Sequence, residues 1–172
     1  MGIGKILTLV GAFAGILSII LSFILPQYFS WFRIELEGVS GVYITGLGTI
    51  TSIPPGASGY GIINVVGGIG SILGAIICIY GGVKKMRVNA IVGSLLLLIG
   101  PLTFIMDTLV ISAADFIAII QGLGGPSNVN PLWGSFIISG PPDILLSWGL
   151  WIGFFTTLAS GGTALIGGIL MK

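Results

Sequence analysis

Apolar residues fill four long runs along this chain, at positions 6–25, 61–83, 88–111 and 148–171, and polar residues return between them. A helix that crosses the hydrocarbon core of a bilayer needs about 20 consecutive apolar residues, and each run is of that order. The pattern predicts an all-α membrane protein with four transmembrane helices in a single domain, residues 1–172. Ala12-Phe13-Ala14 resembles a signal-peptide cleavage site, but it falls too early in the first run. The first run is therefore expected to stay as a helix.

The connecting segments differ from one another. In segment 27–60, Phe32, Ile34 and Leu36 alternate with Arg33, Glu35 and Glu37, the period of a strand with one apolar and one charged face. Gly38-Val39-Ser40-Gly41 supplies turn residues, Val42 and Ile44 alternate with Tyr43 and Thr45, and Thr49-Ile50-Thr51 resumes the pattern up to Pro54-Pro55-Gly56. A small extracellular β-hairpin is expected in this first outer loop. Residues 84–87 form so short a link that the second and third helices must be antiparallel neighbours. The third helix meets no breaker after position 111 and is expected to run on to about residue 121. Segment 122–147 carries Asn128, Asn130, Pro131, Gly140, Pro141 and Pro142 and reads as an irregular loop. Trp133, Phe136, Trp148 and Trp151 suit an aromatic belt at the membrane interface.

Small residues fall in stripes within the runs. They are Gly4, Thr8, Gly11, Gly15, Ser18 and Ser22 in the first; Gly67, Gly70, Gly74 and Gly81 with Cys78 in the second; Gly93 and Gly100 with Asn89 in the third. In the fourth they are Gly153, Thr157, Ser160, Ala164 and Gly167 or Gly168. Between lipids, helices associate through close backbone approach, which small residues permit. A repeat of about 3.5 residues keeps such a seam on its partner when helices wind left-handed. A left-handed four-transmembrane-helix bundle is expected. The seams serve either packing within the bundle or contact between subunits.

Composition sharpens this picture. Of 172 residues, 55% are hydrophobic and 6% charged, where a soluble domain carries about a quarter charged. Lipid must cover much of the surface. The net charge of +1 gives no electrostatic case for nucleic acid. Lys5, Lys84, Lys85, Arg87 and Lys172 lie on one side of a four-crossing chain, while Arg33, Glu35, Glu37, Asp115 and Asp143 lie on the other, with Asp107 near them. The positive-inside rule puts the first side, with both termini, in the cytoplasm of a multi-pass cell-membrane protein.

Candidate chemistry is sparse. The chain has no histidine and one cysteine, Cys78, so neither a disulfide within the chain nor a clustered thiolate or imidazole metal site is expected. No cofactor is expected, and no catalytic residue is assigned, because no acid–base pair converges. Gly67-Gly68-Ile69-Gly70 lies inside a spanning run with no strand before it, so it is not a nucleotide loop. Asp107 is the ionisable residue within a membrane run, and Asn64 begins the second helix on the same side. Intramembrane carboxylates are costly and mark functional sites. Asp107 and Asn64 form a possible intramembrane polar site, against the plainer readings of Asp107 paired with Arg33 or a loop amide and Asn64 in an interhelical hydrogen bond. Pro101 should kink the third helix just below Asp107. Arg33, Glu35, Glu37 and Trp133 form a possible outer interaction face, or simply a solvated one.

The first outer segment also holds Trp31 and Gly46-Leu47-Gly48. With the four-helix layout, this resembles the claudin and peripheral-myelin-protein-type tetraspan proteins. Gly48 stands where that family has a second Trp, and its paired loop cysteines are absent. The resemblance implies a β-structured first outer loop, a projecting third helix and a role in lateral or cell-surface assembly. The expected function is non-catalytic: membrane assembly or protein–protein interaction with a membrane-protein partner or as a homo-oligomer. The alternatives are an accessory subunit of a respiratory or transport complex, or a small ion- or proton-coupled transporter.

Overall fold

The computed structural model describes residues 2–38, 41–51 and 62–171. The turn at Val39-Ser40, the expected end of the hairpin at Pro54-Pro55-Gly56, and Lys172 lie outside the described residues.

Helix α1 spans Ile3–Ile24. Leu25 leaves the helical region ahead of Pro26, as the residue before proline tends to do, and a single turn, α2 (Pro26–Phe29), follows. Helix α3 spans Ile62–Lys84 and α4 spans Arg87–Met106. Their link is closed by Lys85 in the left-handed conformation (φ 57°), and the Met86 N–H donates to Gly81 O at 2.8 Å, a Schellman-type end. The chain continues from α4 through a π-helical turn, Asp107–Ile111, into α5 (Ala113–Gly122). The expected continuation past residue 111 is present, but it is broken at Ser112. Helix α6 covers Ile152–Leu170. Four of these helical stretches, with α4 counted through Ile111, are long and apolar enough to cross a membrane.

Helix α1 packs chiefly on α6 and α3 on α4; contacts of α1 with α3 and of α4 with α6 close the ring. Every small residue of the α1 stripe is buried, as are those of α6. The seams lie inside the bundle: a Cβ on Gly11 would fall 2.6 Å from Ala164 N and Ser160 O, and one on Gly93 would fall 2.6 Å from Gly74 O. The stripe of α3 differs at one place. Gly70 is only half-buried, with Ile99 Cγ2 4.0 Å from its ideal Cβ, and Ser71 takes the interior position, where its hydroxyl donates to Leu97 O at 2.7 Å. Pro101 stands four residues after Leu97. Proline has no N–H, so the Leu97 carbonyl lacks its usual i+4 donor and accepts from Ser71 of α3.

The expected hairpin is present as β1 (Phe32–Leu36) and β2 (Val42–Ile44), with Ile44 bridged to Ile50. It is half of a larger structure. Residues 122–147 are not an irregular loop throughout: β3 (Trp133–Ile138) and β4 (Ile144–Leu150) form a second hairpin. The four strands make one antiparallel sheet in the order β2-β1-β4-β3. Trp148 lies in β4, and the fourth long helix begins at Ile152 rather than at 148. A short apolar run suits a buried strand as well as a helix, and here pairing with β1 decides for the strand.

One face of the sheet caps the bundle. Phe32, Leu146 and Trp148 are buried there with Trp31, Phe104, Ile120 and Phe154 in one core. Trp31 is the centre: its ring stands edge-on to Phe104 (5.7 Å between centroids) and to Phe154 (6.2 Å). Gly46 and Gly48 fit the 45–51 loop into the same place. A Cβ on Gly46 would meet Trp31 Nε1 at 2.9 Å, and the Gly46 N–H donates to Ser22 Oγ at 2.9 Å. Gly48 has φ +70°, which disfavours a side chain, and a Cβ there would lie 2.7 Å from Asn64 Cβ.

Candidate functional site

Two places carry side chains whose arrangement goes beyond packing: the outward face of the sheet, and a buried polar pair beneath it.

The sheet register builds the first. Arg33 pairs with Gly149, and Gly149 with Trp133; Glu35 pairs with Ser147, and Ser147 with Ser135. Directly opposite residues in antiparallel strands point to the same face. Arg33, Glu35 and Trp133, expected together on an interaction face, therefore share the face turned away from the bundle. Glu37 is exposed beyond the end of β1, where its N–H donates to Leu145 O at 2.9 Å. The Arg33 guanidinium lies 3.4 Å from the centroid of the Trp151 ring and 3.0 Å from a Glu35 carboxylate oxygen. Delocalised guanidinium stacks on indole more readily than a compact ammonium does. Arg33 is thus held by Trp151 and Glu35 and does not reach Asp107, contrary to one expected pairing. Trp133 is 59% exposed, and Ile137 and Leu145, paired to each other on the same face, are 60% and 41% exposed.

Leu145, Ile137, Ser135 and Ser147 were missing from the sequence-derived face because the second hairpin was not recognised. Its signal was present: Gly140-Pro141-Pro142-Asp143 separates two runs of strand length rich in aromatic and branched residues.

The second place brings together the two residues assigned to an intramembrane polar site. Asn64, in the first turn of α3, is 2% exposed; Asp107, where α4 passes into the π turn, is 1% exposed. The Asn64 side-chain amide donates to Asp107 Oδ2 at 2.6 Å. Ser112 Oγ lies 3.4 Å from Asp107 Oδ1. The π turn makes this last approach possible. Residues five apart diverge around an α-helix, whereas the i→i+5 bond of a π turn brings them together, and here the Ser112 N–H donates to Asp107 O at 2.8 Å. Asn64 Oδ1 is buried with no hydrogen-bond partner among the described residues.

A third polar group joins α1 to α6. Ser18 and Thr156 hydroxyls are 2.5 Å apart, Ser18 donates to Gly153 O at 3.0 Å, and Thr157 donates to Ser18 at 3.1 Å. These hydroxyls satisfy one another and backbone carbonyls, and they act as interhelical fastening.

Basic residues gather at the opposite end of the bundle from the sheet. Lys5 Nζ donates to Val83 O at 3.4 Å, which sets the start of α1 beside the end of α3 and the link that carries Lys84, Lys85 and Arg87. Met171 reaches Thr8 at the same end. In sequence, the chain matches no known protein-family model and none of the curated proteins.

Proposed function

We propose that this chain is a multi-pass protein of the cell membrane that holds a rigid β-sheet at the outer membrane surface and associates through it with a second copy or with another membrane protein. The activity is non-catalytic. The observation that carries the reading is the sheet's construction: one face is fused to the bundle core around Trp31, and the other presents Trp133, Ile137 and Leu145 beside the Arg33–Glu35 pair. Exposed aromatic and aliphatic anchors with a charged rim are features of protein interfaces.

Membrane insertion is supported by the four long apolar helices and by the large apolar residues on the bundle exterior, among them Val10, Phe13, Leu17, Leu73, Ile76 and Ile166. An apolar surface of that extent calls for lipid. The basic residues at the end away from the sheet support cytoplasmic termini under the positive-inside rule. The small-residue spacing supports a left-handed bundle. The claudin-type resemblance of Trp31 and Gly46-Leu47-Gly48, which implies an assembly role, supports the same reading.

The test is photocrosslinking in native membranes. A photoreactive residue at Ile137 yields a discrete adduct, of twice the chain mass or of the chain plus one partner. The same probe at Phe136, on the bundle-facing side, yields none. Free monomer alone from the Ile137 probe, together with a monomeric native mass in mild detergent, rules the interaction reading out.

A further inference from the structure

We infer that Asp107 and Asn64 form a binding site for one monovalent metal cation, with Na⁺ the first candidate. The inference begins with an electrostatic imbalance. An ionised carboxylate that is 1% exposed carries a large desolvation penalty unless it is paired. Its donors in the protein are the Asn64 amide at 2.6 Å and Ser112 at the long distance of 3.4 Å, which leaves acceptor capacity on a group with about four lone-pair sites. Among the described residues no basic side chain serves it: Arg33 is engaged by Glu35 and Trp151, and Lys5, Lys84, Lys85 and Arg87 belong to the other end of the bundle.

The second observation is independent of the carboxylate. Asn64 Oδ1 is buried and has no hydrogen-bond partner among the described residues. The Asn64 amide nitrogen faces Asp107 Oδ2 at 2.6 Å, the arrangement that suits an ionised carboxylate. In that orientation the amide oxygen is left as an unserved acceptor. The carboxylate's remaining lone pairs, an unserved amide oxygen and a serine hydroxyl at the rim offer hard oxygen ligands. Such a set suits a hard cation.

The charge selects the class. One carboxylate among neutral ligands is neutralised by a single positive charge, whereas a divalent ion would leave net charge in a low-dielectric setting. Soft metals are disfavoured, because the chain has no histidine and Cys78 lies about 21 Å further along α3. Local structure also serves the site. The π turn brings Ser112 under the carboxylate, and Gly48 at positive φ seats the 45–51 loop on Asn64. A cation here ties α3, the α4–α5 junction and the first sheet loop together. The site does not involve the outward sheet face, so it stands or falls separately from the interaction reading.

The experiment is thermal unfolding of the purified full-length chain in detergent, in NaCl, KCl or choline chloride at equal ionic strength. Ligand binding to the folded state raises the unfolding midpoint with the logarithm of ligand concentration. The midpoint rises with Na⁺ and is flat in choline; Asp107→Asn abolishes the rise. Ser112→Ala keeps the rise but shifts it to about tenfold higher Na⁺, which preserves the test if Asp107→Asn fails to fold. Asn64→Asp, which adds a second carboxylate at nearly constant volume, transfers the response to Ca²⁺ or Mg²⁺. Equal midpoints in all three salts overturn the inference, as does a Na⁺ response that survives Asp107→Asn. So does an infrared band of a protonated carboxyl in wild-type protein in NaCl that disappears in Asp107→Asn, since a proton would then hold the place assigned to the cation.

Discussion

Gly11 of α1 and Ser160 of α6 approach so closely that a Cβ on Gly11 would lie 2.6 Å from the Ser160 carbonyl oxygen. The neighbour is backbone, which cannot rotate aside. Gly11→Val therefore forces the two helices apart, and the loss is expected to exceed the roughly 1–3 kcal/mol typical of overpacking at flexible sites. Gly162, on the same helix as Ser160, has nothing within 4 Å of its ideal Cβ. Gly162→Val is expected to shift the unfolding midpoint little. Thermal unfolding of both variants checks the seam, and equal effects would remove α1–α6 contact as the cause.

Trp31 offers a different kind of test. It is buried between Phe104, Phe154 and Gly46, where bundle and sheet share one core. Trp31→Ala leaves a cavity and is expected to cost about 3–5 kcal/mol. Because the ring supports both layers, near-ultraviolet circular dichroism should show lost aromatic packing while far-ultraviolet helicity stays. A cost below about 1 kcal/mol would mean that the sheet and bundle are not joined through this ring.

The proposed orientation predicts a labelling pattern. The native Cys78 is fully buried, so Lys85→Cys places the accessible thiol at the link between α3 and α4. A membrane-impermeant maleimide should label it in inside-out vesicles and fail to do so on intact cells. Labelling from outside the cell would reverse the assignment of the sheet to the outer surface.

How much of this was legible beforehand varies from residue to residue. The four apolar runs were readable because span length is a property of composition. The burial of Gly4, Thr8, Gly11, Gly15, Ser18 and Ser22 followed from their spacing. The β1–β2 hairpin was readable from strict alternation at 32–37. The β3–β4 hairpin was missed because Asn128, Asn130, Pro131, Gly140, Pro141 and Pro142 were read as one irregular loop, and the apolar run that follows does not reveal where a strand hands over to a helix. Gly70 was assigned to the α3 seam by its spacing, but Ser71 holds that place, answering a carbonyl freed by Pro101 on another helix. Asn64 and Asp107 were each picked out by residue type. Their contact could not be read, because it depends on how α3 and α4 are set against each other over 43 residues of chain. Arg33 was offered to Asp107 on charge alone; its stacking on Trp151 needed β4 to be seen as a strand.

The order β2-β1-β4-β3 has a consequence for the nascent chain. β1 hydrogen-bonds to β2 on one edge and to β4 on the other, yet β4 is synthesised after α3, α4 and α5. One edge of β1 must therefore wait, unpaired, until most of the protein has been made. An open edge of this kind is prone to pair wrongly, so a chain truncated before Ile144 should aggregate rather than accumulate as a stable three-helix fragment.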